Sequence, residues 1–99
     1  MRVRLTPAAQ ADVAEARVWY RQRGLGLDRR FLDSVEACVN FISEHPESGP
    51  IVEGKIRRLL LRGYPYSAFY VLYPDEAVVI ACLHGARSPR VWHRRGAGS

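Results

Sequence analysis

The chain has 99 residues, enough for one domain with a single hydrophobic core but too few for two. Its 47% hydrophobic residues are ordinary for a globular protein, and no apolar run reaches the roughly 18 residues of a membrane-spanning helix. The N-terminus lacks the apolar stretch of a signal peptide, so we expect a cytoplasmic protein that contacts no membrane. The net charge of +5 arises in residues 50–99, which hold eight basic and three acidic residues, whereas residues 1–49 hold seven of each. This asymmetry favours an anionic partner for the second half of the chain.

The first elements predicted are a short strand and a helical hairpin. Residues 2–5 alternate polar and apolar side chains, as in an edge strand. Thr6 and Pro7 then begin a helix as N-cap and first helical residue, and Gly24 ends it. We expect Asp28 to cap a second helix, which ends at His45-Pro46. The apolar faces consist of Ala9, Val13, Ala16 and Tyr20 on the first helix and Phe31, Leu32, Val35, Cys38, Val39 and Ile42 on the second.

Beyond the hairpin, the periodicity changes from helix to strand. Residues 46–54 are interpreted as a loop, and strands are predicted at residues 55–62, 66–73 and 77–83. The last of these, AVVIACL, is apolar on both faces, which is typical of a central strand covered on both sides.

The predicted fold is therefore α+β, in the order β-α-α-β-β-β, with an N-terminal helical hairpin packed on a small, mostly antiparallel sheet. We expect one domain over residues 1–95 and a disordered tail over residues 96–99. Cys38 and Cys82 lie within apolar runs, so both are expected to be buried thiols.

Candidate binding side chains are most concentrated in residues 84–95, which contain four arginines, two histidines and a tryptophan. Basic side chains interleaved with an aromatic ring suit an anionic partner, whether nucleic acid or acidic peptide. The alternative is a solvated basic tail with Trp92 against the core. His84 and His93 have no acidic or cysteine residue at metal-binding spacing, so neither a metal nor a cofactor is expected. Trp19 and Tyr20 are interpreted as core and interface residues.

A series of motifs follows in a fixed order along residues 2–95. It includes the helix ending in Trp19-Tyr20, the second helix closing at His45-Pro46, a strand with Ile56-Arg57, the turn Gly63-Tyr-Pro-Tyr66, and the ending HGARSP…W that starts at His84. This ordered series resembles the RelE/ParE superfamily of bacterial toxins, and its ending resembles ParE-type members. The resemblance implies the toxin of a type II toxin–antitoxin pair.

The superfamily contains two mechanisms, and the resemblance to the nuclease mechanism is partial. RelE-type toxins cleave mRNA on the ribosome with cations on the strands and a C-terminal Tyr or His. Here Lys55, Arg57 and Arg58 correspond to the cations of the second strand, and Arg87 to the arginine after the last strand. Ser67 falls where the third strand would carry an arginine, and Trp92 or His93 falls at the terminal position. If the chain is a nuclease, its catalytic candidates are Arg57, Arg87 and His93.

The preferred interpretation is a ParE-like inhibitor that binds DNA gyrase without catalysis and is neutralised by a ParD-like antitoxin. The alternatives are a ribosome-dependent mRNA endoribonuclease and a degenerate toxin retained as a binding module. We expect no sequence-specific DNA binding by the toxin alone. The candidate contacts to the antitoxin are Arg57, Arg58, Arg62, Arg87 and Arg90, and those to the target are Trp92, Arg94 and Arg95.

Overall fold

The computed structural model describes residues 1–85 and 89–97, the side chains of residues 89, 90 and 97 excepted. The described elements are β1 (Arg2–Leu5), α1 (Pro7–Arg21), α2 (Leu27–Glu44), β2 (Ile51–Glu53), β3 (Ile56–Leu60), β4 (Tyr66–Leu72), β5 (Glu76–His84) and α3 (Pro89–Ala97).

The five strands form one sheet in the order β1-β5-β4-β3-β2. β1 runs parallel to β5, and all other neighbours are antiparallel. The α+β class, the mostly antiparallel sheet and the edge position of β1 are thus confirmed. β5 lies between β1 and β4, and its residues 77–83 are all buried, as expected for a central strand.

Two elements were not predicted. Residues 51–53, expected to be loop, form β2, in which Ile51 pairs with Arg57 of β3. Three residues are too few to show a periodicity in the sequence, so this strand can be recognised only by its pairing with β3. Residues 89–97 form α3, and the helix runs to Ala97 where a disordered tail was expected from residue 96. The predicted order β-α-α-β-β-β therefore gains a strand and a C-terminal helix, and residues 98 and 99 lie outside the described part of the chain.

The helix starts differ from each other in how they are capped. Thr6 caps α1 as predicted, because its Oγ1 accepts a hydrogen bond from the Ala9 N–H at 3.1 Å. The prediction that Asp28 caps α2 was wrong: the N-cap is Gly26, whose φ of 77° suits a residue without a side chain. Asp28 lies in the first turn of α2, where its Oδ2 accepts from Arg21 Nε at 3.3 Å. Burial raises the pKa of the Asp28 carboxyl, but the hydrogen bonds from Arg21 and from backbone N–H groups outweigh it and lower the pKa.

The sheet has an apolar layer on each face. The helical-hairpin face packs against α1 and α2, and Phe31, Ile42 and Tyr70 of this layer are fully buried. The opposite face, called the α3 face below, carries a second buried cluster against which α3 packs Val91 and Trp92. The buried residues of the α3 face are Ile56, Phe69, Val71, Val78, Ile80, Ala81 and Leu83.

Of the two aromatic residues expected in the core or at an interface, Tyr20 packs in the core and Trp19 is exposed, and both cysteines are buried. Tyr20 packs on Phe31 with ring centroids 5.2 Å apart, whereas Trp19 is 47% exposed with the Arg23 guanidinium 4.1 Å from its ring centroid. Cys38 and Cys82 are free and buried, as predicted.

Candidate functional site

The two neighbouring arginines of β3 point to opposite faces of the sheet, because successive strand residues alternate. Arg57 lies on the helical-hairpin face, where its Nη1 donates to the carbonyl oxygens of Glu47 at 3.0 Å and Gly49 at 2.9 Å. Arg58 lies on the α3 face, and its Nε donates to the Ser67 hydroxyl at 2.9 Å. The two arginines therefore belong to separate surfaces.

Arg57 helps to hold the loop between α2 and β2. The buried Tyr70 holds the same loop: its hydroxyl donates to the Pro46 carbonyl oxygen at 2.8 Å and accepts from the Gly49 N–H at 3.1 Å. A Cβ at Gly49 would lie 2.7 Å from the backbone oxygen of Arg58 and from the Tyr70 hydroxyl, so only glycine allows this approach. The contacts of Arg57 are thus those of a scaffold residue.

Part of the α3 face near the β2 edge is open. Leu60 is 61% exposed and Val52 39% exposed, and Arg58 lies between them on the same surface. We call these three residues the β2–β3 patch. Val52 and Arg58 border a cavity of about 140 Å³ that reaches inward to Ser67, Leu83, His84 and Trp92. Ser67 is 1% exposed and carries no charge. Among the described residues that line this cavity, Arg58 supplies the positive charge.

α3 is attached to the sheet by stacking and close packing. The Trp92 ring lies parallel to that of Phe69, with centroids 5.1 Å apart and an interplanar angle of 10°. Gly96 lies so near Ile56 that a Cβ would come within 2.2 Å of the Ile56 Cδ1 atom. Trp92, a candidate contact to the target, therefore also forms part of the cover over the second core.

Arg95, another target candidate, is bound to α1. Its Nη1 and Nη2 donate to the two carboxylate oxygens of Asp12, at 2.5 and 3.2 Å, and its Nη1 also donates to the Ile80 carbonyl oxygen at 3.2 Å. The Asp12 carboxylate accepts a further hydrogen bond from the Cys82 N–H at 3.0 Å. Sequence reasoning missed Asp12, because nothing in its surroundings on α1 indicates a partner so far along the chain.

The other two residues of α3 considered above lie on its outer side. His93 Nδ1 is 2.7 Å from Glu53 Oε2, and both side chains are about half exposed. Arg94 is exposed. The Glu53 contact was also missed, since β2 itself was not predicted.

The remaining candidates are placed as follows. Arg62 is exposed just after β3, where its backbone carbonyl accepts a hydrogen bond from the Ser34 hydroxyl at 2.9 Å. Arg87 and the side chain of Arg90 lie outside the described residues. Two of the three nuclease candidates are separated, because Arg57 lies on the helical-hairpin face and His93 on the other side of the sheet. Within the described ranges, three His, Cys, Asp or Glu side chains never cluster as a metal site would require. No described helix is long and apolar enough to cross a bilayer.

Comparison with known proteins bears on the family of the chain. The family model described as "ParE toxin of type II toxin-antitoxin system, parDE" matches residues 3–89. Among curated proteins, no sequence matches. The structure is similar to a solved chain titled "Chromosomal ParDE TA system from P. aeruginosa", with a TM-score of 0.63 and 20% identity over 85% of this chain and 95% of that one. At this identity the structural likeness supports the fold, whereas the family model covers most of the sequence. The chain therefore belongs to the ParE toxins of type II toxin–antitoxin systems.

Proposed function

We propose that this toxin arrests growth by binding DNA gyrase in the cytoplasm, without catalysing a reaction, and that a ParD-like antitoxin holds it inactive. Membership of the ParE family supports both partners. The basic second half of the chain supplies the charge with which an acidic antitoxin segment would pair.

The observation that favours an inhibitor over a nuclease is the separation of the catalytic candidates. Cleavage of RNA needs an acid, a base and cations within hydrogen-bond reach of one phosphate. Arg57 and His93 lie on opposite sides of the sheet, Arg57 is bonded to loop carbonyls, and His93 contacts Glu53. Ser67 offers no charge at the position where the nuclease resemblance requires an arginine.

α3 is our candidate for the surface that meets gyrase. Trp92 and Arg95 face the body of the protein and fix the helix, while Arg94 is exposed on it. We therefore assign direct contact with the target first to Arg94, and positioning of the helix to Trp92 and Arg95.

The experiment is a supercoiling assay with purified gyrase and relaxed plasmid. We expect the toxin to inhibit supercoiling, the Arg94→Ala variant to inhibit less, and the Arg30→Ala variant, which removes an exposed charge from α2, to match the wild type. Absence of inhibition at a large toxin excess would refute the gyrase assignment.

Expression in cells separates the proposal from the two alternatives. A gyrase inhibitor produces DNA breaks, the SOS response and filaments while translation continues. A ribosomal nuclease stops protein synthesis at once and leaves cut mRNA, and His93→Ala would then abolish toxicity. No growth arrest at all would indicate a degenerate toxin kept as a binding module.

A further inference from the structure

We infer that the β2–β3 patch (Val52, Arg58 and Leu60) is a docking site for the antitoxin, with an antitoxin carboxylate paired to Arg58 and apolar antitoxin side chains on Leu60 and Val52. The inference deepens the antitoxin half of the proposed function and rests on it.

The apolar part of the patch is an uncovered margin of a packed sheet face. Further along the same face α3 covers Phe69 and Ile56, but Leu60 and Val52 remain 61% and 39% exposed. The described part of the chain therefore leaves these two side chains open to solvent. Beside the guanidinium of Arg58, these two side chains form a small mixed surface on which a partner could bury apolar side chains.

Arg58 is held in an orientation that suits a carboxylate. Its Nε donates to the hydroxyl of Ser67, which is itself 1% exposed and therefore fixed in place. Anchoring through Nε orients the plane of the guanidinium and the two terminal NH2 groups. A planar, oriented guanidinium recognises carboxylates through paired N–H···O bonds, which a lysine cannot reproduce.

The charge around the patch is positive. Arg57 points to the opposite face, and the other charges of residues 51–62 are one acid, Glu53, against Lys55, Arg58 and Arg62. The Glu53 carboxylate contacts His93, on the α3 side of β2. An incoming acid therefore meets a cationic surface.

The mixture of one oriented arginine and two apolar side chains favours an acidic and apolar peptide over other partners. A nucleic-acid backbone presents repeated phosphates, for which Leu60 and Val52 offer nothing. A second copy of this chain carries the same net charge of +5 and so offers Arg58 no overall charge complementarity. β2 is also the edge of the sheet, so an extended antitoxin segment has a strand beside which to lie.

The test measures binding of the purified toxin to a ParD-like antitoxin by calorimetry, with synthetic peptides covering that antitoxin as a second probe. The variants are Arg58→Ala, Arg58→Lys and Leu60→Ser, with Arg30→Ala as the control that removes an exposed charge from α2. We expect Arg58→Ala to weaken binding roughly 10- to 100-fold, Arg58→Lys to recover little of the loss, and Arg30→Ala to bind as the wild type does. Leu60→Ser, at an exposed site where truncation leaves the core intact, is expected to weaken binding about tenfold.

The outcomes separate the inference from the function on which it rests. If the wild type and Arg30→Ala bind the antitoxin and the Arg58 and Leu60 variants bind equally well, the docking site is wrong and the antitoxin proposal stands. If no variant, including the wild type, binds, the antitoxin proposal itself fails. If Arg58→Ala loses affinity for RNA but keeps its affinity for the antitoxin, the patch serves a nucleic acid and the inference is overturned. Should Arg58→Ala fold poorly, Arg58→Lys and Leu60→Ser decide the same question.

Discussion

Asp12 on α1 and Arg95 on α3 form a two-point ion pair across 83 positions of sequence, and the pair closes the edge of the central strand. β1 pairs with β5 only as far as Val79, and the Thr6 N–H bonds the Val79 carbonyl oxygen at 3.0 Å. Beyond that point Arg95 donates to the Ile80 carbonyl oxygen and Asp12 accepts from the Cys82 N–H. Two side chains thus replace the missing strand residues and fasten the C-terminal helix at the same time.

Replacing Arg95 should therefore lower the free energy of unfolding more than replacing an exposed charged residue does. Arg95→Ala leaves the Asp12 carboxylate, whose side chain is only 11% exposed, with one fewer charged partner. We expect a loss of about 1–3 kcal/mol in the free energy of unfolding, measured by urea denaturation. Arg94→Ala, an exposed neighbour on the same helix, should change it by less than about 0.5 kcal/mol. Equal effects from the two variants would show that the pair contributes little.

Gly96→Ala, a substitution that usually stabilises a helix, should not stabilise α3. Alanine raises helix propensity by about 1 kcal/mol relative to glycine, but its Cβ would lie 2.2 and 2.7 Å from the Ile56 Cδ1 and Cγ1 atoms. Overpacking of this kind costs about 1–3 kcal/mol, so we expect Gly96→Ala to lower stability or leave it unimproved.

Removing the clashing methyl group gives the matched control. Ile56→Val eliminates Cδ1, so Gly96→Ala should be better tolerated in the Ile56→Val background than in the wild type. Denaturation of the four proteins gives the coupling energy between the two positions. A stabilising effect of Gly96→Ala in the wild-type background would contradict the close approach of α3.

The Tyr70 hydroxyl should contribute more to the stability of the fold than an exposed hydroxyl that makes a surface hydrogen bond. Tyr70 is fully buried, and Tyr70→Phe removes the hydroxyl that accepts from the Gly49 N–H and donates to the Pro46 carbonyl oxygen. We expect a destabilisation of about 1–3 kcal/mol and faster hydrogen exchange at the Gly49 amide. Unchanged exchange at Gly49 would show that the hydroxyl does not hold the loop.

The two cysteines should make stability fall at alkaline pH. Burial raises the pKa of Cys38 to about 11; burial, then Asp12 and Cys38, raises that of Cys82 to about 12. An unfolded thiol ionises near pH 8.5, so the folded chain keeps protons that the unfolded chain has lost. The thiol contribution to stability is therefore complete below about pH 8.5 and is lost as pH rises toward the folded pKa values.

Two measurements check this behaviour. Ellman's reagent should leave the native protein unmodified at pH 8 and modify both thiols in urea. The free energy of unfolding should also fall more steeply above pH 9 in the wild type than in a Cys38→Ala, Cys82→Ala double variant. Rapid modification of the native protein would mean that the thiols are accessible.

The sequence determined the local elements whose signals lie within a few residues of each other. Thr6-Pro7 begins α1, His45-Pro46 ends α2, and the two-sided apolar run of residues 77–83 is the buried central strand. These signals succeed because capping, proline geometry and hydrophobic periodicity act over one or two turns of chain. The ordered series of motifs likewise indicated the toxin family without the structure.

Tertiary structure decided what depends on partners distant in sequence. β2 can be recognised only by its pairing with β3, and Asp12 meets Arg95 only because the sheet brings α1 and α3 together. The same is true of the site. Arg57 and Arg58 are neighbours in sequence, yet strand alternation assigns one to the loop scaffold and the other to the open β2–β3 patch. A run of basic residues specifies a charge, and only the packing of the sheet decides which surface bears it.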